Sequence, residues 1–169
     1  MPFASYNIDP VDEMEDVLAN FYGGRGSVGS QYVVTNRRLL IGPLNTKIAL
    51  DIDAYVANKA YPGAGDLLKS VLTNYAPMNP KTLYLRQVTD VRATTNAGWR
   101  HQASLAITTS TNETIELQVV AVAPRQGGFL GMGSMRTDPA NNLARDRMVE
   151  VLTKAVEAAK AAHPPGVQL

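Results

Sequence analysis

The chain contains no cysteine. That absence removes disulfides, thiolate nucleophiles and thiolate-ligated zinc or iron–sulfur centres together, and leaves cysteine usage silent about redox compartment. Histidine is nearly as scarce, with two in 169 residues. His101 sits in a turn sequence and His163 beside Pro164-Pro165, and neither has a second histidine or a carboxylate at helical spacing. A metal or acid–base centre would have to be assembled wholly from tertiary contacts. Charge of one sign is also missing: 16 Lys plus Arg against 15 Asp plus Glu leave a net +1, which offers no bulk field for nucleic acid or an anionic membrane. No apolar run approaches the ~18 residues of a membrane span. The start, Met-Pro-Phe-Ala-Ser-Tyr, lacks both a positive n-region and an apolar h-region. The expectation is a soluble, cytoplasmic chain of one domain, long enough to bury a core without staples.

What is present is mostly strand pattern. Tyr32-Val-Val-Thr-Asn-Arg-Arg-Leu-Leu-Ile41 reads as two strands folded back at Thr35-Asn36, because β-branched and aromatic residues suit a pleated strand and Asn tolerates the left-handed backbone of a tight turn. Upstream, Asp9-Pro10 followed by Asp12, Glu13, Glu15 and Asp16 reads as a short helix ending at Asp16, within an N-terminal extension over 1–16. Val11, Met14, Val17, Leu18, Phe21 and Tyr22 fall at roughly helical spacing, yet Val17 to Tyr22 also alternates, and the favoured reading of that segment is a strand with a continued helix as the alternative. Alternation in Ile48, Leu50 and Ile52 suggests another short strand, and Leu67, Leu68, Val71, Leu72 and Tyr75 form one face of a helix inside an insertion over 54–80. Gln102 to Ser110 and Thr114 to Val122 read as further strands joined through Thr111-Asn112-Glu113, and Asn96-Ala97-Gly98 turns the preceding stretch into the first of them. Residues 124–137, rich in Gly and Met, read as a mobile loop. A final helix over 138–162 turns Leu143, Met148, Val151, Leu152, Ala155, Val156 and Ala159 to one side.

The Thr-Asn-Arg-Arg-Leu string with its apolar lead-in resembles the second hairpin of pleckstrin-homology-like (PH-like) domains of the GRAM and bacterial PH type. The resemblance extends over about Val17 to Ala162, excluding the insertion, and implies that Thr82 to Thr95 holds the next paired strands. It implies a mainly β fold with α: a bent antiparallel sandwich or partly open barrel of about seven strands, capped by a C-terminal helix. Another antiparallel barrel or sandwich with a terminal helix would fit the same patterning. The resemblance also implies a binding module rather than an enzyme. In phosphoinositide-binding members the first hairpin carries clustered Lys and Arg; here it holds Arg25 alone, with Arg37 and Arg38 at the next turn, where surface solvation and hydrogen bonding across the turn are expected of them. No specific phosphoinositide binding is therefore expected.

Other motifs reduce to plainer readings. Gly24-Arg25-Gly26-Ser27-Val28-Gly29 matches the dinucleotide fingerprint, but that motif needs a helix after it and a strand follows here, so it reads as a strand-to-strand connection. Asp51-Ile52-Asp53 would set two carboxylates on one strand face, where a solvated strand end explains them better than a hard cation does. With no Gly-x-Ser-x-Gly elbow and no other catalytic constellation, no enzyme, metal or cofactor is expected.

Two functional readings stay open. In the first, a non-catalytic scaffold engages a protein partner or a second copy of itself through surface additions: Tyr61, Leu67 and Tyr75 in the insertion, and Phe129, Leu130 and Met132 in the Gly/Met-rich loop. In the second, Trp99 and Arg100 at a hairpin tip join Phe129 and Leu130 as shallow anchors for an anionic lipid surface, a weak contact without avidity. Trp99 could equally fold back over the barrel mouth. Nucleic-acid binding is not expected, since the basic residues are dispersed among acids.

Overall fold

The computed structural model describes residues 10–25, 28–44, 46–60, 81–95, 102–121 and 138–162. Seven strands and two α-helices occur among them: β1 (Val17–Arg25), β2 (Val28–Thr35), β3 (Arg38–Pro43), α1 (Thr46–Ala60), β4 (Lys81–Tyr84), β5 (Val88–Thr95), β6 (Ala103–Thr109), β7 (Thr114–Gln118) and α2 (Ala140–Ala161). The strands form two antiparallel meanders, a four-stranded sheet in the order β1-β2-β3-β4 and a three-stranded sheet in the order β5-β6-β7. A 3-10 turn over Leu85–Gln87 passes the chain between them, so the run from Thr82 to Thr95 is divided between two sheets. A single bridge between Tyr22 and Val120 joins the sheets at β1, and among the described residues they do not close into a barrel.

Alternation explains which face is buried. In the first sheet Ala19, Val34, Leu39 and Leu83 lie in one cross-strand row, with Phe21 and Tyr32 in the next. These side chains meet Leu105, Ile107 and Leu117 of the second sheet and Met148, Leu152 and Ala155 of α2 in one apolar core. A fully buried leucine or isoleucine contributes roughly 1.5–3 kcal/mol, so the row structure is a large part of what holds the sheets face to face. Tyr32 also reaches across, donating its hydroxyl to the Gln118 carbonyl at 2.9 Å. Burial pushes that phenol up to about 12. Glycine at position 23 is what lets it pass, because a Cβ there would stand 2.1 Å from the Tyr32 hydroxyl oxygen and 2.2 Å from the Gln118 carbonyl.

The opposite face of the first sheet is covered as well. Val17, Val33 and Leu40 are fully buried against Ile52 of α1, with Tyr55 and Val56 packed alongside. This corrects the expectation of a strand near Ile48 to Asp53. Ile52, Tyr55, Val56 and Lys59 recur at three and four residues, which is a helical face. Ile48 and Ile52, four residues apart, fit that helical period, whereas Leu50 between them falls about 200° away and fits only the strand period.

Other boundaries differ for local reasons. Residues 11–14 form bends and a turn, with Glu15 N–H bonded to Asp12 O at 3.1 Å, rather than the expected helix; Asp9 and the residues before it lie outside the described part. Asn36 does not use a left-handed backbone. Among the described residues Asn112 is the non-glycine position with positive φ, at 61°, in the β6–β7 turn. The connection over Gly24 to Gly29 joins two paired strands, with Gly24 opposite Gly29 and Arg25 opposite Val28. In α2 the apolar stripe is Met148, Leu152, Ala155, Val156 and Ala159, but Leu143 is 73% exposed, contrary to expectation. Five residues before Met148, it is rotated about 140° from the stripe at 3.6 residues per turn. Buried Asn141 takes the inward position at this end, its Oδ1 accepting Ala121 N–H at 2.8 Å. No described helix is long and apolar enough to cross a membrane.

Candidate functional site

The residues expected from sequence to contact a partner or lipid, Tyr61, Leu67, Tyr75, Trp99, Arg100, Phe129, Leu130 and Met132, all lie outside the described residues, as do the helix expected near 67–75 and the loop over 124–137. Polar side chains are concentrated instead at two places around β1, one at the β2–β3 turn and one beneath α1.

At the turn, residues 11–16 are drawn across the end of the sheet. Thr35 accepts the N–H groups of Arg37 and Arg38 at 3.0 and 2.9 Å and donates its hydroxyl to Glu15 Oε1 at 2.8 Å. Arg38 adds a two-point ion pair to the same carboxylate, Nε to Oε1 at 2.8 Å and Nη2 to Oε2 at 3.1 Å. Val11 N–H closes the ring at 2.6 Å. Glu15 is 2% exposed and Arg38 8%, so the expected solvation of Arg38 does not hold, while the expected hydrogen bonding across the turn is made through Thr35. Burying a guanidinium and a carboxylate is tolerated because the pair is bidentate and the remaining oxygen capacity is filled. Asn36 completes the clamp by accepting Asp16 N–H at 2.8 Å and donating to Met14 O at 2.8 Å. Arg37 stays at the surface, 2.8 Å from Asp12, and its hydrogen bond holds that carboxyl below the ordinary range. This constellation fixes residues 11–16 against the end of the sheet.

Beneath α1, three side chains from two elements form a closed set. Tyr22 donates its hydroxyl to Asp53, and Asn20 donates to the Tyr22 hydroxyl oxygen at 3.1 Å and to Asp53 Oδ1 at 3.0 Å. Burial, followed by the adjacent Asp53 charge, raises the Tyr22 phenol well above its ordinary value, so it remains a neutral donor. Asp53 is therefore part of a helix-to-strand contact and not of a solvated strand end. Next to Tyr22 on the same face lies Gln31, fully buried, whose amide oxygen and nitrogen find no protein partner; Asn20 Oδ1 is in the same condition. At the C-terminal end of α1, Tyr55 donates to Asp16 Oδ1 at 2.7 Å and Lys59 bonds the other carboxylate oxygen while lying 4.8 Å from the Tyr55 ring centre. Burial acts to raise the Asp16 carboxyl, but the Lys59 and Tyr55 hydrogen bonds outweigh it and the net direction is down.

Neither constellation was legible as a site beforehand. Glu15 and Asp16 read as helix-dipole acids and Arg38 as a cation of the turn, and Gln31 drew no reading of its own. A glutamine within a strand that also holds Tyr32, Val33 and Val34 was the one available signal. Among the described residues no group of three or more His, Asp or Glu side chains is placed to hold a metal ion. No protein-family model, curated protein or solved structure matches the chain.

Proposed function

We propose that the chain is a non-catalytic PH-like binding module whose additions to the two sheets engage a protein partner or a second copy of the chain. One observation carries the reading: two antiparallel meanders of four and three strands, followed by an amphipathic helix packed on both sheets, is the order that the resemblance at Thr35 to Leu39 implies. In that order β3 and β4 are successive neighbours, and here they pair directly, Arg38 to Tyr84 through Ile41 to Lys81. The chain between them nevertheless runs from residue 44 to residue 80, and α1 begins the excursion. An addition of that length between adjacent strands is not needed to form the sheet. Its sequence carries Tyr61, Leu67, Leu68 and Tyr75, a composition suited to protein contact.

The test is a deletion of Tyr61 to Asn79 replaced by a short Gly-Ser bridge. The expected outcome is a folded protein, by circular dichroism and cooperative unfolding, that has lost the self-association seen by light scattering or the partner retained by the tagged full chain. Retention of every interaction would contradict the proposal. Release of the full chain from anionic liposomes by Trp99→Ala would replace it with the lipid-surface reading.

A further inference from the structure

Gln31 is an unusual occupant of its position. It lies on the face of the first sheet that α1 covers, between Tyr22 on β1 and Gly42 on β3, and it is fully buried with neither amide atom paired. An apolar side chain would fill such a place without that cost, since buried polar groups are stable where their hydrogen bonds are made. The neighbouring groups do not supply them. Both hydrogens of the Asn20 amide are spent on Tyr22 and Asp53, and the Tyr22 hydroxyl is spent on Asp53. What remains is the Asn20 carbonyl oxygen, the Gln31 carbonyl oxygen and the Gln31 amino group: two acceptors and one two-hydrogen donor. The sheet is bare of side chains on the β3 side of this group, where Gly42 stands opposite Gln31, and two residues along β2 Gly29 stands opposite Gly24.

We propose that Gln31, Asn20, Tyr22 and Asp53 form a binding site for a small uncharged ligand that presents a hydrogen-bond donor and acceptor side by side, as a carboxamide, urea or lactam does. The chemistry selects this class. An anion would be set near the Asp53 carboxylate, and a simple cation would satisfy the two carbonyl oxygens but leave the Gln31 amino group unpaired. An amide edge meets both needs, and a site lined this way discriminates strongly against analogues that cannot make the bonds. Complete burial of Gln31 favours a small free molecule over a peptide chain. The Tyr22–Asp53–Asn20 bonds hold the remaining polar groups in position before any ligand enters. The site does not depend on whether residues 61–79 take a protein partner.

The test is a nitrogen-15 NMR titration of the full chain, following the Gln31 side-chain amino resonances, assigned by their loss in Gln31→Met. The probes are acetamide and uracil, with sodium acetate and methylammonium chloride as the anionic and cationic controls. Expected is a saturable shift of the Gln31 resonances with acetamide or uracil, in the millimolar range suited to so few atoms, and none with either control. Gln31→Met should weaken the same binding, read from the Tyr22 and Asp53 backbone signals, by about tenfold or more. Because the wild-type titration needs no variant, a misfolded Gln31→Met leaves the test intact. No saturable shift with either amide probe, with the Gln31 amino group showing contact to water alone, would overturn the proposal and assign the position to ordered water.

Discussion

Arg38 and Glu15 show how much rests on one pair. Both are buried, and each satisfies the other at two points. Removing the cation alone leaves a carboxylate stranded, so Arg38→Met should destabilise the fold by about 3–5 kcal/mol, measured by urea denaturation. A loss under about 1 kcal/mol would show that the carboxylate is solvated after all. Asp16 behaves differently because it is partly exposed. Its folded carboxyl titrates below the ordinary 3.8, so its contribution is complete above that pH and is lost as pH falls through the lower folded value. Asp16→Asn should accordingly lower the thermal midpoint at neutral pH, and the gap to wild type should close below about pH 3.8. A gap independent of pH would mean the charge is not what matters. Gly23→Ala is expected to be severe, since the new methyl would meet the Tyr32 hydroxyl and the Gln118 backbone together. None of these roles could be read from the sequence. Each depends on a partner brought from more than twenty positions away by the fold, and residue spacing carries no trace of that for an isolated acid or base.

At the scale of elements, periodicity was informative where an element was long and one-sided. The stripe of α2 from Met148 to Ala159 was legible because five of its residues keep one face, while Leu143 was misplaced because hydrophobicity was weighed without its angle. Leu152→Ala should cost about 2–5 kcal/mol, whereas Leu143→Ala should stay within about 0.5 kcal/mol, both by chemical denaturation. Equal effects would contradict the stripe. The strands β2 and β3 were legible from the β-branched and aromatic run on either side of the Thr35-Asn36 turn, with β3 ending at Pro43. α1 was not, because apolar positions separated by two and by four residues coincide over a single turn and only the continuation to Tyr55 and Val56 separates the periods. The 3-10 turn at Leu85–Gln87 was equally hidden. Leu85 is a buried core residue within an extended-looking run, and no Gly or Pro marks the change of sheet.

For the molecule as a whole, the class of fold followed from its parts: strands in sequence, two meanders, one terminal helix. The packing of α1 on the outer face did not follow, and with it went the polar set at Tyr22, Gln31 and Asp53, which exists only once a helix and two strands are assembled. The additions that set this chain apart from a bare pair of sheets are α1 and the segment after it. Hydrogen exchange on the full chain tests their role most directly, measured alone and then with its bound partner or at a concentration where it self-associates. The account predicts that protection on association is gained over residues 46–80, with β2, β3 and β6 unchanged. Protection that appears only on anionic vesicles, and only around residues 99–101 and 129–135, would contradict it.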